Sequence, residues 1–306
     1  MSRPFRFAVQ GGPFTDRDAL VEHARMVEEL GYEELFTADH LDTVDPFLPL
    51  LIAAEHTSMV RFGPLVLNNG FHHPALLART AATFDALSGG RLVLGVGTGY
   101  MRAEHDAMGT TLQPPAARVE RLGESLRALR ALLDTGACRM HGEFHDLAVE
   151  TVVRPVQPSV PFLVGGHGRR LVADVAARYA DIFQFTGLTH DRSTGLPAPA
   201  GFALDAVRRR RDWLRDAAGC RFDSIELSTL VQATGVGSDA AAARTAAAAR
   251  LEAPPDLVDE TPFILVGTVE EIVEKLLGLR EDVGISHVVV RDPAGFAPVV
   301  DRLAGT

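Results

Sequence analysis

The chain has 306 residues, a net charge of −10 and a hydrophobic content of 46%. Proteins that bind nucleic acids or acidic membranes depend on clustered positive charge, so this balance argues against both partners, and no apolar run is long enough to predict a signal peptide or a membrane span. The two cysteines, Cys138 and Cys220, stand far apart and predict neither a disulfide framework nor a zinc site, as expected for a protein of the reducing cytoplasm.

Short apolar segments alternate with helical patterns along the whole chain. The segments predicted as strands are, in chain order, 5–10, 34–37, 61–67, 91–96, 161–164, 181–185, 224–232 and 285–291. Strands that alternate with helices form a parallel sheet, and eight such units close into a (β/α)8 TIM barrel of the α/β class. We expect one domain over residues 1–306, with insertions at about 136–153, 186–201 and 236–262, and we interpret segment 263–266 as a return to the barrel.

A glycine-rich stretch surrounds the fourth predicted strand. Its Gly95-x-Gly97-x-Gly99 pattern is a shortened form of the dinucleotide-binding fingerprint. That fingerprint needs a helix to begin within the glycines, whereas the next long helical pattern begins only after residue 115, so a Rossmann fold is not predicted. The simpler interpretation of Gly95 is a bend that helps to close a barrel strand, and the loop after Gly97 can let the backbone approach a ligand closely.

An acidic residue and a histidine follow the second predicted strand directly, as Asp39 and His40. In TIM barrels the catalytic residues lie at the carboxyl ends of the strands. A histidine exchanges protons near neutral pH, and a neighbouring carboxylate can orient it. The residues alone leave open an alternative in which a loop histidine lies beside a capping aspartate.

A second glycine-rich loop lies between the fifth predicted strand and a helix. It comprises Gly165, Gly166, His167, Gly168, Arg169 and Arg170. Backbone N–H groups in such a loop can point at an anion that the helix dipole also favours, and a guanidinium matches the geometry of a phosphate. A glycine turn with two solvated arginines is the alternative interpretation.

The helix, turn, strand and glycine loop of segment 75–104 resemble the central segment of the bacterial-luciferase-like flavin and deazaflavin oxidoreductases. The residues that carry this resemblance are Pro74, Ala78, Thr83, Asp85, Ser88, Gly89, Gly90, Arg91, Gly95, Gly97, Gly99 and Glu104. Within that family the chain is most similar to the branch that uses coenzyme F420, a deazaflavin. The resemblance implies a TIM barrel with coenzyme F420 as the cofactor, and FMN as the alternative.

The resemblance also implies roles for individual residues. His40 would lie near the reactive carbon of the cofactor, and Asp39 beside it would contact the cofactor. Both would be catalytic residues. An irregular third strand would carry a non-prolyl cis peptide at Pro64–Leu65, which supports the bent tricyclic ring. The further cofactor contacts that the resemblance implies are Leu67, Thr98, Gly99 and Tyr100 for the ring region, and Gly165, Gly166, His167, Gly168 and Arg169 for the phosphate.

Tyr100 is a departure from the sugar-phosphate dehydrogenase branch, which has a glutamate there as a proton donor or acceptor. Tyrosine is a poor base near pH 7, so the substrate is left open. Glu104 matches the glutamate of the family, where it is interpreted as an anchor for the loop.

These features predict an oxidoreductase that transfers a hydride between coenzyme F420 and a small organic substrate. A monooxygenase that uses reduced FMN and a non-catalytic flavin-binding protein are the alternatives, and the Asp39-His40 pair favours the first function over the last. The resemblance further implies a homodimer formed through the helices at 46–56 and 74–87.

Two other groups of charged or metal-binding residue types receive simpler interpretations. His141 and His145 have helical ligand spacing, but their surroundings resemble strands and no third ligand stands nearby, so no metal site is predicted. The arginines from Arg208 to Arg211 are interpreted as a solvated helix face.

Overall fold

The computed structural model describes residues 3–187, 189–190, 197–198, 201–237, 240–251 and 254–306. Within them, nine parallel strands form the main sheet. These strands are β1 (Arg6–Gln10), β2 (Glu34–Thr37), β3 (Arg61–Pro64), β4 (Leu67–Asn68), β5 (Leu94–Gly97), β6 (Phe162–Gly166), β7 (Ile182–Phe185), β8 (Glu226–Leu230) and β9 (Ile285–Val290).

The main sheet closes on itself. Its order is β3-β2-β1-β9-β8-β7-β6-β5-β4, and β3 and β4 are successive parts of one interrupted strand. A parallel bridge between Phe62 of β3 and Leu92, just before β5, joins the two ends of the sheet. Each of the predicted strand segments contributes to this ring, so the prediction of a TIM barrel is confirmed.

The interruption of the third barrel strand lies between β3 and β4. The N–H of Leu65 still donates to the carbonyl of Thr37 at 2.7 Å, so pairing with β2 continues through that residue. The peptide bond between Leu65 and Val66 is cis. The prediction of a cis bond at Pro64–Leu65 is therefore wrong by one bond: Leu65 still pairs with β2, and the cis bond follows it.

Helices cover the outside of the barrel. They are α1 (Arg17–Glu29), α2 (Leu48–Glu55), α3 (Pro74–Leu87), α4 (Arg102–Ala107), α5 (Pro115–Thr135), α6 (Ala177–Tyr179), α7 (Leu204–Ala218), α8 (Ala240–Leu251), α9 (Pro255–Glu260), α10 (Val269–Asp282) and α11 (Pro293–Leu303). A π-helical segment, Leu171–Ala176, leads into α6, and a 3₁₀ segment, Gly219–Ser224, precedes β8. No helix in the described ranges combines the length and the apolar composition needed to cross a membrane.

Local sequence signals set the ends of several helices. The Asp16 carboxylate accepts the N–H groups of Asp18 and Ala19 and so caps α1. Thr268 and Glu271 form a capping box at the start of α10. Gly136 ends α5 with a φ of 83°, a left-handed conformation that costs a glycine little.

The barrel interior has an apolar middle layer. Its members come from strands all round the ring and are Ala8, Phe36, Leu65, Val93, Leu163, Ile182 and Val289. The outward faces of the same strands pack against the helices in a much larger apolar core. Both faces of the sheet are therefore buried, as expected for parallel strands covered by helices.

An ionic layer fills the barrel at the amino ends of the strands. Arg6 pairs with Glu34 and donates to Glu226 at 2.6 Å, and the buried His287 lies 3.2 Å from Glu34 and 2.8 Å from Ser228. Burial alone would raise the pKa of Glu34, but His287 and the nearby arginines outweigh burial and lower it. This end of the barrel is closed by paired charges, so the open end is the one at the carboxyl termini of the strands.

Two charged side chains of the family-like segment, Asp85 and Arg91, lie at the same amino end. The buried Asp85 accepts the N–H groups of Val156 and Gln157 at 2.8 and 3.0 Å. Arg91 donates to the carbonyl of Ala54 at 2.5 Å, near the C-terminus of α2, and to that of Val60 at 3.2 Å. These motif residues therefore stabilise the scaffold and do not face the open end.

The predicted insertions lie outside the barrel sheet. An antiparallel hairpin joins Cys138–His141 to Asp146–Val149. The segments Ala233–Val236 and Ile264–Gly267 pair with each other in parallel. Helices α8 and α9 lie between them in the chain. The prediction that segment 263–266 returns to the barrel is wrong, because its strand pairs with this accessory strand. Of the predicted loop 186–201, residues 188, 191–196 and 199–200 lie outside the described residues, and Thr189–His190 pairs with Pro197–Ala198.

Candidate active site

The open end of the barrel brings His40 and Glu104 together. His40 follows β2, and Glu104 lies in α4 after β5. Nδ1 of His40 donates to Oε1 of the buried Glu104 at 2.9 Å, and the N–H of Leu41 donates to the same oxygen at 3.2 Å. Nε2 of His40 has no hydrogen-bond partner among the described residues. The proton on Nδ1 is engaged in the hydrogen bond to the carboxylate. Nε2 is therefore the ring nitrogen that can exchange a proton with a ligand.

Asp39 makes a separate set of contacts and does not orient His40. Oδ2 of Asp39 accepts the N–H of Asn68 at 2.8 Å and Nε2–H of His72 at 2.9 Å. The carboxylate therefore ties the end of β2 to the end of β4. The sequence prediction brought Asp39 and His40 to the same end of the barrel, but the carboxylate that positions the imidazole belongs to Glu104.

A buried hydrogen-bond chain supports the loop after β4. Oδ1 of Asn68 accepts the N–H of Gly70 at 2.9 Å, so its Nδ2 donates to Nε2 of His105 at 3.3 Å. Nδ1 of His105 then donates to Thr110 at 3.1 Å. Burial, followed by the positive charge of Arg118, lowers the pKa of His105. The neutral tautomer with its proton on Nδ1 satisfies every one of these bonds.

Tyr100 lies at the rim of the open end. Its ring meets that of His40 edge to face, with centroids 6.0 Å apart. Burial, and secondarily the charge of Glu104, raises the pKa of Tyr100. The phenol is therefore protonated at neutral pH and can donate a hydrogen bond, but it cannot act as a base there.

The interrupted third strand supplies the apolar floor of the site. Leu65 belongs to the apolar layer inside the barrel, and Val66 packs against that layer. Leu67 was predicted to contact the cofactor, but its side chain is buried in the outer core between sheet and helices. Val66, which precedes it, lies against the inner layer in its place. Pro64 is buried at the end of β3.

The glycines of β5 accommodate this third strand. A Cβ atom on Gly95 would lie 2.1 Å from the carbonyl oxygen of Pro64. Gly99 has a φ of +70°, and a Cβ there would lie 1.9 Å from Oδ1 of Asn68. The interpretation of Gly95 as part of barrel closure agrees with this packing. Thr98 and Gly99 follow β5 and are half-buried at the open end.

The loop predicted to bind phosphate begins inside β6. Gly165 and Gly166 are half-buried at the end of that strand, and the side chains of His167 and Arg169 are exposed beyond it. A Cβ on Gly168 would meet nothing within 4 Å. The open backbone and the exposed guanidinium of Arg169 form a donor set that fits a phosphate group. Arg170 instead pairs with Glu120 at 2.9 Å.

Two glutamines that lie on inward-facing strand positions were not predicted as site residues from the sequence. Nε2 of Gln10 donates to the carbonyl of Leu65 at 2.7 Å, and Oε1 of Gln10 accepts Nε–H of Arg291 at 3.1 Å. Gln184 lies two residues beyond Ile182, on the same inward face of β7. The alternation of Ala8 with Gln10 would have predicted an inward side chain at the open end of β1, and the same holds for β7.

The histidines considered as metal ligands have other partners. His141 lies 2.7 Å from Asp146 across its hairpin, and the buried His145 lies 2.9 Å from Ser125. The described part of the chain contains no group of three metal-ligating side chains. The interpretation of Arg208–Arg211 as a solvated face is wrong for Arg210, which is only 2% exposed. Both cysteines are free thiols.

Known proteins share sequence similarity with this chain. An F420-dependent glucose-6-phosphate dehydrogenase of Amycolatopsis mediterranei is 33% identical over 58% of this chain and 54% of its own length, so the match spans about half of that relative. A 5,10-methylenetetrahydromethanopterin reductase of Archaeoglobus fulgidus is 26% identical over 95% of this chain and 94% of its own.

Solved structures share the fold over nearly the whole chain. The coenzyme F420 dependent tetrahydromethanopterin reductase of Methanopyrus kandleri matches with a TM-score of 0.76 at 18% identity, over 98% of both chains. The oxygenating constituent of 3,6-diketocamphane monooxygenase of Pseudomonas putida, in complex with FMN, matches with a TM-score of 0.73 at 15% identity, over 99% of this chain and 98% of its own. Residues 2–198 match the luciferase-like monooxygenase family. The chain therefore belongs to the luciferase-like monooxygenase family.

Proposed function

We propose that this protein is an oxidoreductase that transfers a hydride between coenzyme F420 and a small organic substrate. The observation that carries the proposal is the arrangement of His40, whose Nδ1 is held by Glu104 at 2.9 Å while Nε2 remains available. An imidazole fixed in this tautomer can give or take the proton that accompanies hydride transfer. The F420-dependent activity named for the Amycolatopsis mediterranei relative supports the choice of cofactor.

The residues of the open end would divide the remaining tasks. Coenzyme F420, when bound, supplies the hydride chemistry, and the protein supplies orientation and electrostatics. Leu65 and Val66 would support the face of the ring, and Asp39 would contact the cofactor. The loop from Gly165 to Arg169 would hold the phosphate through backbone N–H groups and one guanidinium. Tyr100, edge-on to His40, would limit the access of water to the imidazole.

A titration with the two candidate cofactors tests the proposal. Oxidised coenzyme F420 and FMN are added separately to the purified protein, and the dissociation constants are compared. We expect measurable binding of coenzyme F420 and weaker binding of FMN. Tight FMN binding without measurable F420 binding would replace the proposal with an FMN-dependent monooxygenase, which the fold of the Pseudomonas putida protein accommodates.

Substitution of His40 tests its role. His40→Ala should reduce turnover by roughly 100-fold or more, the usual contribution of a general acid or base, while F420 affinity changes little. His141→Ala is the matched control, because His141 is exposed on the hairpin and lies outside the open end. Equal kinetics of His40→Ala and the unaltered protein would remove the assignment.

We also propose that the chain forms one domain and assembles as a homodimer through α2 and α3. These helices carry apolar side chains that are largely exposed, namely Leu48 at 67%, Leu76 at 55% and Leu87 at 64%. Exposed apolar groups on neighbouring elements favour association. Leu76→Glu should convert a dimer to a monomer in light scattering, whereas Leu277→Glu on α10 should not. A monomeric unaltered protein would contradict the proposal.

A further inference from the structure

Two buried polar atoms that have no hydrogen-bond partner in the described part of the chain lie at the end of β7. The Gln184 side chain is 3% exposed, and its Nε2 is fully buried without such a bond. Two residues further on, Oγ1 of Thr186 is also buried and unpaired among the described residues. Buried polar groups are normally hydrogen-bonded, and an unpaired one costs stability. Two such groups, two residues apart at one strand end, therefore indicate a site that a ligand completes.

The position of this pair in the fold is fixed by strand register. Gln184 lies opposite Gly165 of β6, and the Cβ position of Gly165 is 3.7 Å from Oε1 of Gln184. Ile182, which precedes Gln184 on the same face, belongs to the apolar layer inside the barrel. Gln184 and Thr186 therefore lie successively closer to the open end, above that layer.

The barrel order places this pair directly beside the residues predicted to hold the cofactor. Those residues follow the consecutive strands β2, β3 with β4, β5 and β6. The other arc of the ring consists of β7, β8, β9 and β1. At its open end, Arg291 donates to Oε1 of Gln10 at 3.1 Å and to Oε1 of Gln232 at 3.3 Å. The side chains of Gln10 and Gln232 thus have protein partners, whereas Nε2 of Gln184 and Oγ1 of Thr186 have none within the described ranges.

We propose that Gln184 and Thr186 form a substrate subsite that donates hydrogen bonds to a carbonyl-type oxygen. An amide nitrogen and a hydroxyl can both donate, so one acceptor oxygen of a ketone, amide or lactam satisfies both. The subsite rests on the proposed function, because it places the substrate beside β6, the last of the cofactor strands, where the other arc of the ring begins. It makes Gln184 and Thr186 determinants of substrate specificity, since a site built to donate rejects an analogue that lacks the acceptor.

The experiment follows the side-chain amide of Gln184 directly. In ¹⁵N-labelled protein, its resonance is assigned from its loss in Gln184→Leu. Oxidised coenzyme F420 is added first, and acetamide is then titrated as the carbonyl probe. We expect the Gln184 resonance to move little with F420 and to shift saturably with acetamide.

Matched variants separate a subsite from a structural role. Gln184→Leu and Thr186→Val keep the size of each side chain but remove the donor, and each should weaken acetamide binding by roughly three- to tenfold, the effect of one neutral hydrogen bond. Acetamide binding to these variants is followed through neighbouring backbone resonances. Ser286→Ala is the control, because Oγ of Ser286 is also buried and unpaired among the described residues but lies on β9 next to the inward-facing His287. It should leave acetamide binding unchanged.

The outcomes also distinguish this inference from the proposed function. No response of Gln184 to acetamide would overturn the subsite, and so would a large shift with F420 alone, since the pair would then belong to the cofactor site. Failure of F420 to bind, with the acetamide response intact in the cofactor-free protein, would remove the proposed function and leave a carbonyl-binding subsite in place.

Discussion

Glu104 and His40 are 64 residues apart in the sequence and are joined by a hydrogen bond of 2.9 Å at the open end of the barrel. The same carboxylate oxygen accepts the N–H of Leu41, so it fixes both the ring and the backbone that carries it. This bond selects the tautomer in which Nε2 exchanges the proton. Under the proposed function, Glu104 would be a positioning residue that acts through His40.

Glu104→Gln should lower turnover by roughly 10- to 100-fold, less than the loss of an acid or base altogether, with F420 affinity within about threefold of the unaltered protein. The amide can still accept a hydrogen bond, but it no longer provides a charge to hold the imidazole. Steady-state rates and a cofactor titration measure the two effects. Glu150→Gln on the hairpin is the control. A loss of cofactor affinity as large as the loss of turnover would show that Glu104 shapes the cofactor site and not His40.

The buried His105 should make stability depend on pH. Burial and Arg118 lower its pKa in the folded protein below the ordinary 6.5, so the unfolded chain binds the proton first as the pH falls. The contribution of His105 to stability is complete above pH 6.5 and is lost as the pH falls through 6.5 towards the folded pKa, with a slope of at most about 1.4 kcal/mol per pH unit.

Urea unfolding at several pH values measures this slope. His105→Asn should reduce it, while substitution of the exposed His141 by Asn should not. Burial also lowers the pKa of His23 and His145, so part of the slope should remain in the His105 variant. An unchanged slope in that variant would contradict the role of His105.

The buried Arg210 should be required for stability. It donates to the carbonyls of Thr186 and Gly201 at 2.6 Å each, and burial lowers its pKa to about 10. Arg210→Met leaves these carbonyls without a donor and should lower the free energy of unfolding by about 2–4 kcal/mol. Arg209 occupies the preceding position of α7 and is exposed, so Arg209→Met should change the free energy by less than about 0.5 kcal/mol. Equal urea midpoints for the two variants would refute this assignment.

Gly95 should tolerate no side chain. A Cβ would lie 2.1 Å from the Pro64 carbonyl, and a backbone atom cannot move away cheaply. Gly95→Ala should lower the free energy of unfolding by about 2 kcal/mol or more. Gly123→Ala in α5 is the contrasting variant, because its Cβ would meet Val175 at an ordinary 3.6 Å and alanine favours the helix. It should stabilise the protein by a few tenths of a kcal/mol to about 1 kcal/mol, and calorimetry of both variants checks the pair.

The barrel could be predicted from the sequence because the signals for its strands and helices are local. Each strand is a short apolar run bounded by turn residues, and alternation with helices then determines a parallel ring. The same reasoning brought Asp39, His40 and the loop from Gly165 to one end of the barrel, since the residues that come directly after each parallel strand gather at that end.

The errors concern contacts between distant parts of the chain. Periodicity could not reveal that Arg210 turns inward to the Thr186 carbonyl, because the neighbouring arginines look alike in sequence. It could not choose Glu104 over Asp39 as the partner of His40, since that choice depends on how α4 follows β5. The strand at Ile264–Gly267 is as apolar as a barrel strand, and only its pairing with Ala233–Val236 shows that it lies outside.

The close fit between β5 and the interrupted third strand has a consequence for transplanting parts between relatives. The Cβ that Gly95 lacks would occupy the place of the Pro64 carbonyl, so neither segment keeps its shape against a neighbour that places a side chain there. A chimera that receives residues 61–68 from another member should fold only if residues 94–99 come from the same donor. The two segments form one packing unit, although 25 residues separate them in the chain.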